Sequence, residues 1–334
     1  MFPVLFVVSD SMCMQEALLY ELMILPTLSE QALLICRDLC SHLKAAHDKL
    51  LASVTPQHAH RLLNVFTSIA NIQRKVDGNT SSTLRHYVDA VEAGIRLAPP
   101  LSPGNTLTFR DIILASWFAS SALSALPSSA QPSNILNAIQ RHTSGTHLAH
   151  FEDASLPLVH AVHDASDEYI NAMLDPTTGT LPNIVLFPHQ AQMLSTVVFA
   201  SLCASAPHPA QSTEQVKTAT SSALLALARR IQEGASIVDL GLDIPHCSNN
   251  SLVLLLHYLA LSLSPSASAF NDTGVILCGM SSHTTPNLPR ATSGREIARL
   301  YYEKGLQIDP THPHLLSNLG SLLKDAGFTN YAIG

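Results

Sequence analysis

A chain of 334 residues has room for one extended helical array or two ordinary domains, and only 13% of it is charged against 46% hydrophobic, roughly half the usual charged share of about 25%. The formal net charge is −7 with no basic tract, which argues against a nucleic-acid groove or a polybasic membrane surface. Ala, Leu and Ser dominate, a composition that favours many close helix–helix contacts over one large aromatic core.

Residues 1–8 are apolar but lack a basic flank and a cleavage site, so they do not read as a signal peptide. Helical periodicity covers 15–25, 29–51, 58–73 and 81–97, the last two forming a hairpin around Asp77-Gly78-Asn79. Within 81–97, Val91 and Gly94 stand at spacings that echo the C-terminal part of the chain. A helix over 108–126 lies between Pro103-Gly104 and Pro127-Ser128-Ser129, and another is expected over 155–174. Residues 175–182 form a turn-rich break, and 204–211 a polar linker. The only short strand-like run is 184–187, ended by Pro188, so a doubly wound α/β domain is not expected.

Further on, 218–232 and 252–263 read as helices separated by irregular residues 234–250, and 218–232 is the natural partner of 252–263. Val253, His257 and Ala260 share one face of the latter. The run 252–263 is apolar but shorter than the roughly 20 residues that span a bilayer. A helix over 267–279 carries Phe270, Gly274 and Leu277, and a Ser/Thr/Pro-rich loop follows over 280–293. The helix 295–308 places Ala298, Tyr302 and Gly305 on one face: small residue, ring, small residue. Pro310 stops it, having no N–H to donate and no room to continue. Pro313 opens the next helix, 314–324, with Leu316, Leu319, Gly320 and Leu323, and Gly327 supplies its C-terminal turn. Tyr331, Ala332 and Ile333 begin another helix.

This order resembles the tetratricopeptide repeat, whose period is about 34 residues. Leu316, Leu319-Gly320, Leu323, Gly327 and Ala332 match the first elements of one repeat; Ala298, Tyr302, Gly305 and Pro310 match the last elements of the one before. Two residues depart from the pattern: Gly305 where Ala is usual, and Thr273 where Leu is expected. The expected fold is all-α, a tetratricopeptide-like helical-hairpin solenoid winding as a right-handed superhelix and diverging toward the N-terminus. Residues 1–180 are then a divergent helical region of degenerate repeats, 181–250 a helical linker region with irregular loops, and 251–334 the repeats, the last one cut short.

Residues 301–310, Tyr-Tyr-Glu-Lys-Gly-Leu-Gln-Ile-Asp-Pro, and 316–325, Leu-Ser-Asn-Leu-Gly-Ser-Leu-Leu-Lys-Asp, resemble the repeat region of fungal protein O-GlcNAc transferases. The resemblance implies a substrate-recognising arm of an enzyme that moves N-acetylglucosamine from UDP-GlcNAc to Ser or Thr of nuclear and cytosolic proteins. It also implies protein or peptide substrates as partners, no nucleic acid, no membrane, and a nuclear and cytoplasmic location. In that family an Asn before Leu-Gly grips the substrate backbone, a task suited to an amide that both donates and accepts. Asn318 holds this position, and Asp272 stands at its counterpart in the preceding repeat. UDP-GlcNAc would be the donor of the full-length enzyme, whereas no cofactor is implied for this chain. The transferase domain has no counterpart in these residues, so the chain is expected to be a fragment that stops within a repeat. The alternative is a non-catalytic tetratricopeptide adaptor; self-association is open under either reading. A clamp for an acidic peptide needs Lys and Arg on the inner face, and the recognisable first helices offer only Lys324.

No catalytic or metal constellation is expected. The 17 histidines include the pairs His147/His150 and His160/His163, the latter beside Asp164, but no His-Glu-x-x-His occurs. Asp164, Asp167 and Glu168 read as a solvated face, and neither a phosphate-binding Gly-rich loop nor a Gly-x-Ser-x-Gly elbow is present. Six scattered cysteines without Cys-x-x-Cys read as free thiols of a soluble intracellular protein.

Overall fold

The computed structural model describes residues 21, 34–35, 38, 45, 67–72, 74–75, 81–97, 108–125, 179, 181, 183–198, 210–234, 247–280 and 293–327. These are mostly helical, and no strand occurs among them, as an all-α fold requires. The expected helices over 15–25, 29–51 and 155–174, the four histidines and the acidic trio named above, and Tyr331, Ala332 and Ile333 lie wholly or largely outside the described residues. The chain divides into two units, Met1–Pro100 with Pro207–Leu242, and Leu101–Ala206 with Asp243–Gly334.

In the first unit, α1 (Ser81–Leu97) buries Leu84, Tyr87, Val88, Val91 and Ile95, one stripe at helical spacing. Helix α4 (Ala210–Gln232) presents Val216, Ala219, Ala223, Leu227 and Ile231 in the same way, and the two helices pack together. They cross at Gly94. A Cβ there would lie 2.2 Å from Thr220 Oγ1, a hydroxyl tied down by its hydrogen bond to Val216 O at 2.8 Å. The Tyr87 hydroxyl donates to Asn71 Oδ1, joining α1 to the helical residues 67–72 as the hairpin reading expects.

The second unit holds α2 (Phe109–Ala125), α3 (Pro188–Val198), α5 (Asn249–Leu263), α6 (Ala267–Cys278), α7 (Gly294–Ile308) and α8 (Pro313–Asp325). Helix α5 is buried on every side from Ser251 to Leu261, as a helix apolar all round must be, and packs on α2, α3 and α6. Its cap is Ser248, whose hydroxyl accepts from Ser251 N–H. The following turn is three residues, Ser264 to Ser266, and Ser266 caps α6. Helix α7 begins in a full capping box, Ser293 with Glu296. It ends at Asp309, whose carboxylate accepts from the Thr311 N–H and hydroxyl and so shapes the turn through Pro310. Cys247 and Cys278 are free thiols, and burial pushes the Cys247 thiol up to about 12.

Two placements differ from the sequence reading. The partner of α5 is α3, while 218–232 belongs to α4, which packs on α1. Helix α4 also starts at Ala210, inside the expected polar linker; its first turns carry no apolar residue on the packing face before Val216, so hydrophobic periodicity misses them. Helix α3 itself begins where the strand-like run stops. Pro188 suits a first helical position. Gln190 secures the start by accepting from Phe187 N–H at 2.9 Å and donating to Leu123 O, the end of α2, at 2.8 Å.

His189, in the first turn of α3, stacks on Phe187 with ring centroids 6.0 Å apart, and its Nε2 is buried without a hydrogen-bond partner. Burial holds its pKa below the usual value, and the positive end of the helix dipole opposes the imidazolium as well. The unfolded chain therefore binds this proton more tightly than the folded one. The contribution to stability is complete above about pH 6.5 and declines as the pH falls below it, until the folded His189 is itself protonated. Urea midpoints at pH 7.5 and 5.5 test this: the wild type should lose more stability on acidification than His189→Leu, and equal losses would refute it.

Candidate recognition face

Helices α6 and α7 run antiparallel in close contact. Phe270 faces Gly305, Gly274 faces Tyr302, and Leu277 faces Gly294. The approach is close because small residues sit opposite large ones. Ala298, Tyr301, Tyr302 and Gly305 of α7 are all buried. Tyr302 is held further by Cys278 Sγ at 3.6 Å from its hydroxyl.

The small residues are not equivalent. A Cβ on Gly274 would stand 2.3 Å from the Tyr302 ring, whereas one on Gly305 meets first the Leu315 δ-methyls, at 2.7 and 3.0 Å. A buried ring cannot turn aside; the end of a leucine can. Gly→Ala gains roughly 1 kcal/mol of helix propensity at either site, against about 1–3 kcal/mol for overpacking. Gly274→Ala should therefore destabilise the unit by about 1–2 kcal/mol, with Gly305→Ala within about 0.5 kcal/mol of wild type. Denaturant midpoints of the two variants check the order, and a reversed order would show that Tyr302, not Leu315, is the side chain that yields.

Helix α8 lies against both α7 and α6. Leu315 is its one fully buried residue and fills the space beside Gly305. Along the other seam α8 runs parallel to α6 and is joined to it twice. Ser268 Oγ and His312 Nε2 are 3.3 Å apart, and Asn318 Nδ2 donates to Asn271 Oδ1 at 2.8 Å. His312 also caps α8, its Nδ1 accepting from Leu315 N–H. Asn271 in turn donates to the Asp272 carboxylate at 3.2 Å. Asn318, Asn271 and Asp272 thus form one hydrogen-bonded chain across two parallel helices. Asn271 is 8% exposed, while Asp272 and Asn318 are half-buried at the edge of the seam.

Of the residues singled out in the sequence, Asn318 and Asp272 are therefore brought together, through Asn271. That residue was not picked out: it does not occupy the position before Leu-Gly, and only the neighbouring helix reveals its partner. Leu319 and Gly320 lie half-buried on α8, Pro310 is exposed in the turn before it, and Gly327 follows it at φ +85°. Leu316, Gly320 and Leu323 repeat the spacing of Phe270, Gly274 and Leu277, but Leu316 is 49% exposed where Phe270 is buried. Lys324 is exposed. Ala332 lies outside the described residues.

Among the described residues no group of three His, Cys, Asp or Glu could hold a metal ion, and no helix is long and apolar enough to cross a membrane. No protein-family model matches the chain, and no curated protein matches it as a relative. A functional reading therefore stands on the seam between α6 and α8 and on the motif residues of α7 and α8.

Proposed function

We propose that α6, α7 and α8 are a tetratricopeptide-type recognition module, and that the chain is the substrate-recognising repeat region of a protein O-GlcNAc transferase. The observation that carries the recognition reading is the amide chain Asn318–Asn271–Asp272, set along two parallel helices with α7 antiparallel between them. A first helix, a second helix and the next first helix of successive repeats would be set in this way, which supports the reading. Asn318 spends one N–H on Asn271 and retains a carbonyl oxygen and a second N–H for a peptide backbone. Such bonds read the backbone rather than the side chains, which suits an arm that accepts many Ser- and Thr-bearing substrates. The transferase assignment is supported by the motif residues 301–310 and 316–325.

Binding of extended Ser/Thr-containing peptides, followed by fluorescence polarisation, tests the face. Asn318→Ala should weaken binding about tenfold, the loss of one or two net hydrogen bonds, with Ser317→Ala close to wild type. Equal affinities for both variants would dismiss the amide chain as a binding element. The transferase reading has its own test in the whole gene product. There, Asn318→Ala should lower protein glycosylation and leave UDP-GlcNAc hydrolysis intact. A whole product that binds peptides but never turns over UDP-GlcNAc is the non-catalytic adaptor.

A further inference from the structure

The first unit contains a cluster of charge that the recognition face does not use. Arg230, in the last turn of α4, has a side chain only 7% exposed, and its Nη1 donates to Glu233 Oε2 at 2.6 Å. Its Nε is buried with no hydrogen-bond partner. Arg74 Nη2 approaches the same Glu233 oxygen at 3.5 Å. Among the described residues, two guanidinium groups therefore share one oxygen of one carboxylate. Tyr87, also in the cluster, donates a hydrogen bond to Asn71 Oδ1 and stays a neutral phenol.

This balance is unusual for a buried cation. An isolated charge removed from water is costly unless paired and hydrogen-bonded. The negative end of α4 favours Arg230 in part, but it satisfies none of the guanidinium's N–H groups here. Burial acts against the Arg230 cation first, the neighbouring Arg74 next and Arg229 least, so its proton is held less tightly than usual. Glu233 is the counter-ion that both arginines face. It lies beyond α4 with its side chain 38% exposed and its backbone N–H held by Arg229 O at 3.0 Å, so rotation of the side chain toward solvent is enough to free the arginines. Arg74 is 42% exposed, so the cluster opens to solvent on the side that Arg74 and Glu233 share.

We propose that Arg74 and Arg230 form a binding site for a phosphate group, in which the Glu233 carboxylate is the resident stand-in that a phosphate dianion displaces. The guanidinium fork matches phosphate oxygens in pairs. A dianion balances two guanidinium groups, and its several acceptor oxygens can serve both forks at once. The same helix end that favours the cations opposes the anion, so the affinity is modest and rests on the two arginines together. The chemistry fits either inorganic phosphate or a phosphorylated side chain.

The test uses the full chain. Inorganic phosphate and a phosphoserine peptide are titrated by calorimetry and phosphorus NMR, with chloride at equal ionic strength as the control. Phosphate should bind and raise the melting temperature where chloride does not. Arg74→Gln, at a half-exposed position, should weaken binding about tenfold, and Glu233→Gln should tighten it by a similar factor because the competitor is gone. Arg230→Lys, checked for folding by circular dichroism, keeps the charge and loses the fork, and should also weaken binding. Tighter binding of the peptide marks a phosphorylated side chain as the source; tighter binding of the free ion marks phosphate itself. Phosphate no better than chloride overturns the proposal, as does a Glu233→Gln variant that binds no more tightly than wild type.

Discussion

Replacing Tyr301 by Ala should cost the second unit about 3–5 kcal/mol, the range for removing a buried aromatic ring. The ring is fully buried between Tyr258 and Phe270, with centroids 6.4 and 6.0 Å away. Its hydroxyl matters as much to the local architecture. Tyr301 donates to Leu186 O at 2.9 Å, and Leu186 N–H donates to the Tyr258 hydroxyl at 3.1 Å. Burial pushes both phenols well above their ordinary range. Both backbone groups of a buried extended residue are thereby satisfied without a strand. The segment leading into α3 is pinned between α5 and α7 in this way. Tyr301→Phe keeps the ring and leaves the Leu186 carbonyl unpaired, for about 1–3 kcal/mol. Chemical denaturation of wild type and both variants separates ring from hydroxyl. A loss below about 1 kcal/mol for Tyr301→Ala would show that the ring is not the keystone of this contact.

Gly294→Ala should have the second largest effect, about 2–3 kcal/mol, near the upper end for overpacking. A Cβ at this position would lie 2.2 Å from Leu277 O and 2.9 Å from Met280 O. Both obstacles are backbone, and the Leu277 carbonyl already accepts from Met280 N–H at 3.1 Å, so no rotamer change relieves the clash. The start of α7 must move off the end of α6. The seam between α6 and α8 depends on α7 lying flat against α6, so the variant should also weaken peptide binding. A Gly294→Ala protein with wild-type stability would place this helix start elsewhere.

Much of the second unit was legible in the residues. Pro310 and Pro313 bracket the turn between α7 and α8, and Ala298, Tyr302 and Gly305 announce the face that α7 buries, because helix stops and apolar stripes are local properties. The capping box at Ser293 and Glu296 is likewise a short-range signal, and the structure begins α7 there rather than one residue later. Helix α3 was less legible: a β-branched run ended by proline reads as a strand until the tyrosine hydroxyls that hold it are seen.

What the sequence determined by itself was helical character, the positions of most helix ends, and the pairing of Asn318 with Asp272 as candidates. Those depend on backbone propensity, on caps and on spacing along one chain. The fold in space was needed to show that α5 pairs with α3, that Asn271 is the link between the two candidates, and that Arg74 and Arg230 both face the Glu233 carboxylate. Each of these joins residues distant in sequence, and such contacts are set by which buried surfaces and unpaired polar groups meet in space, which no local pattern records.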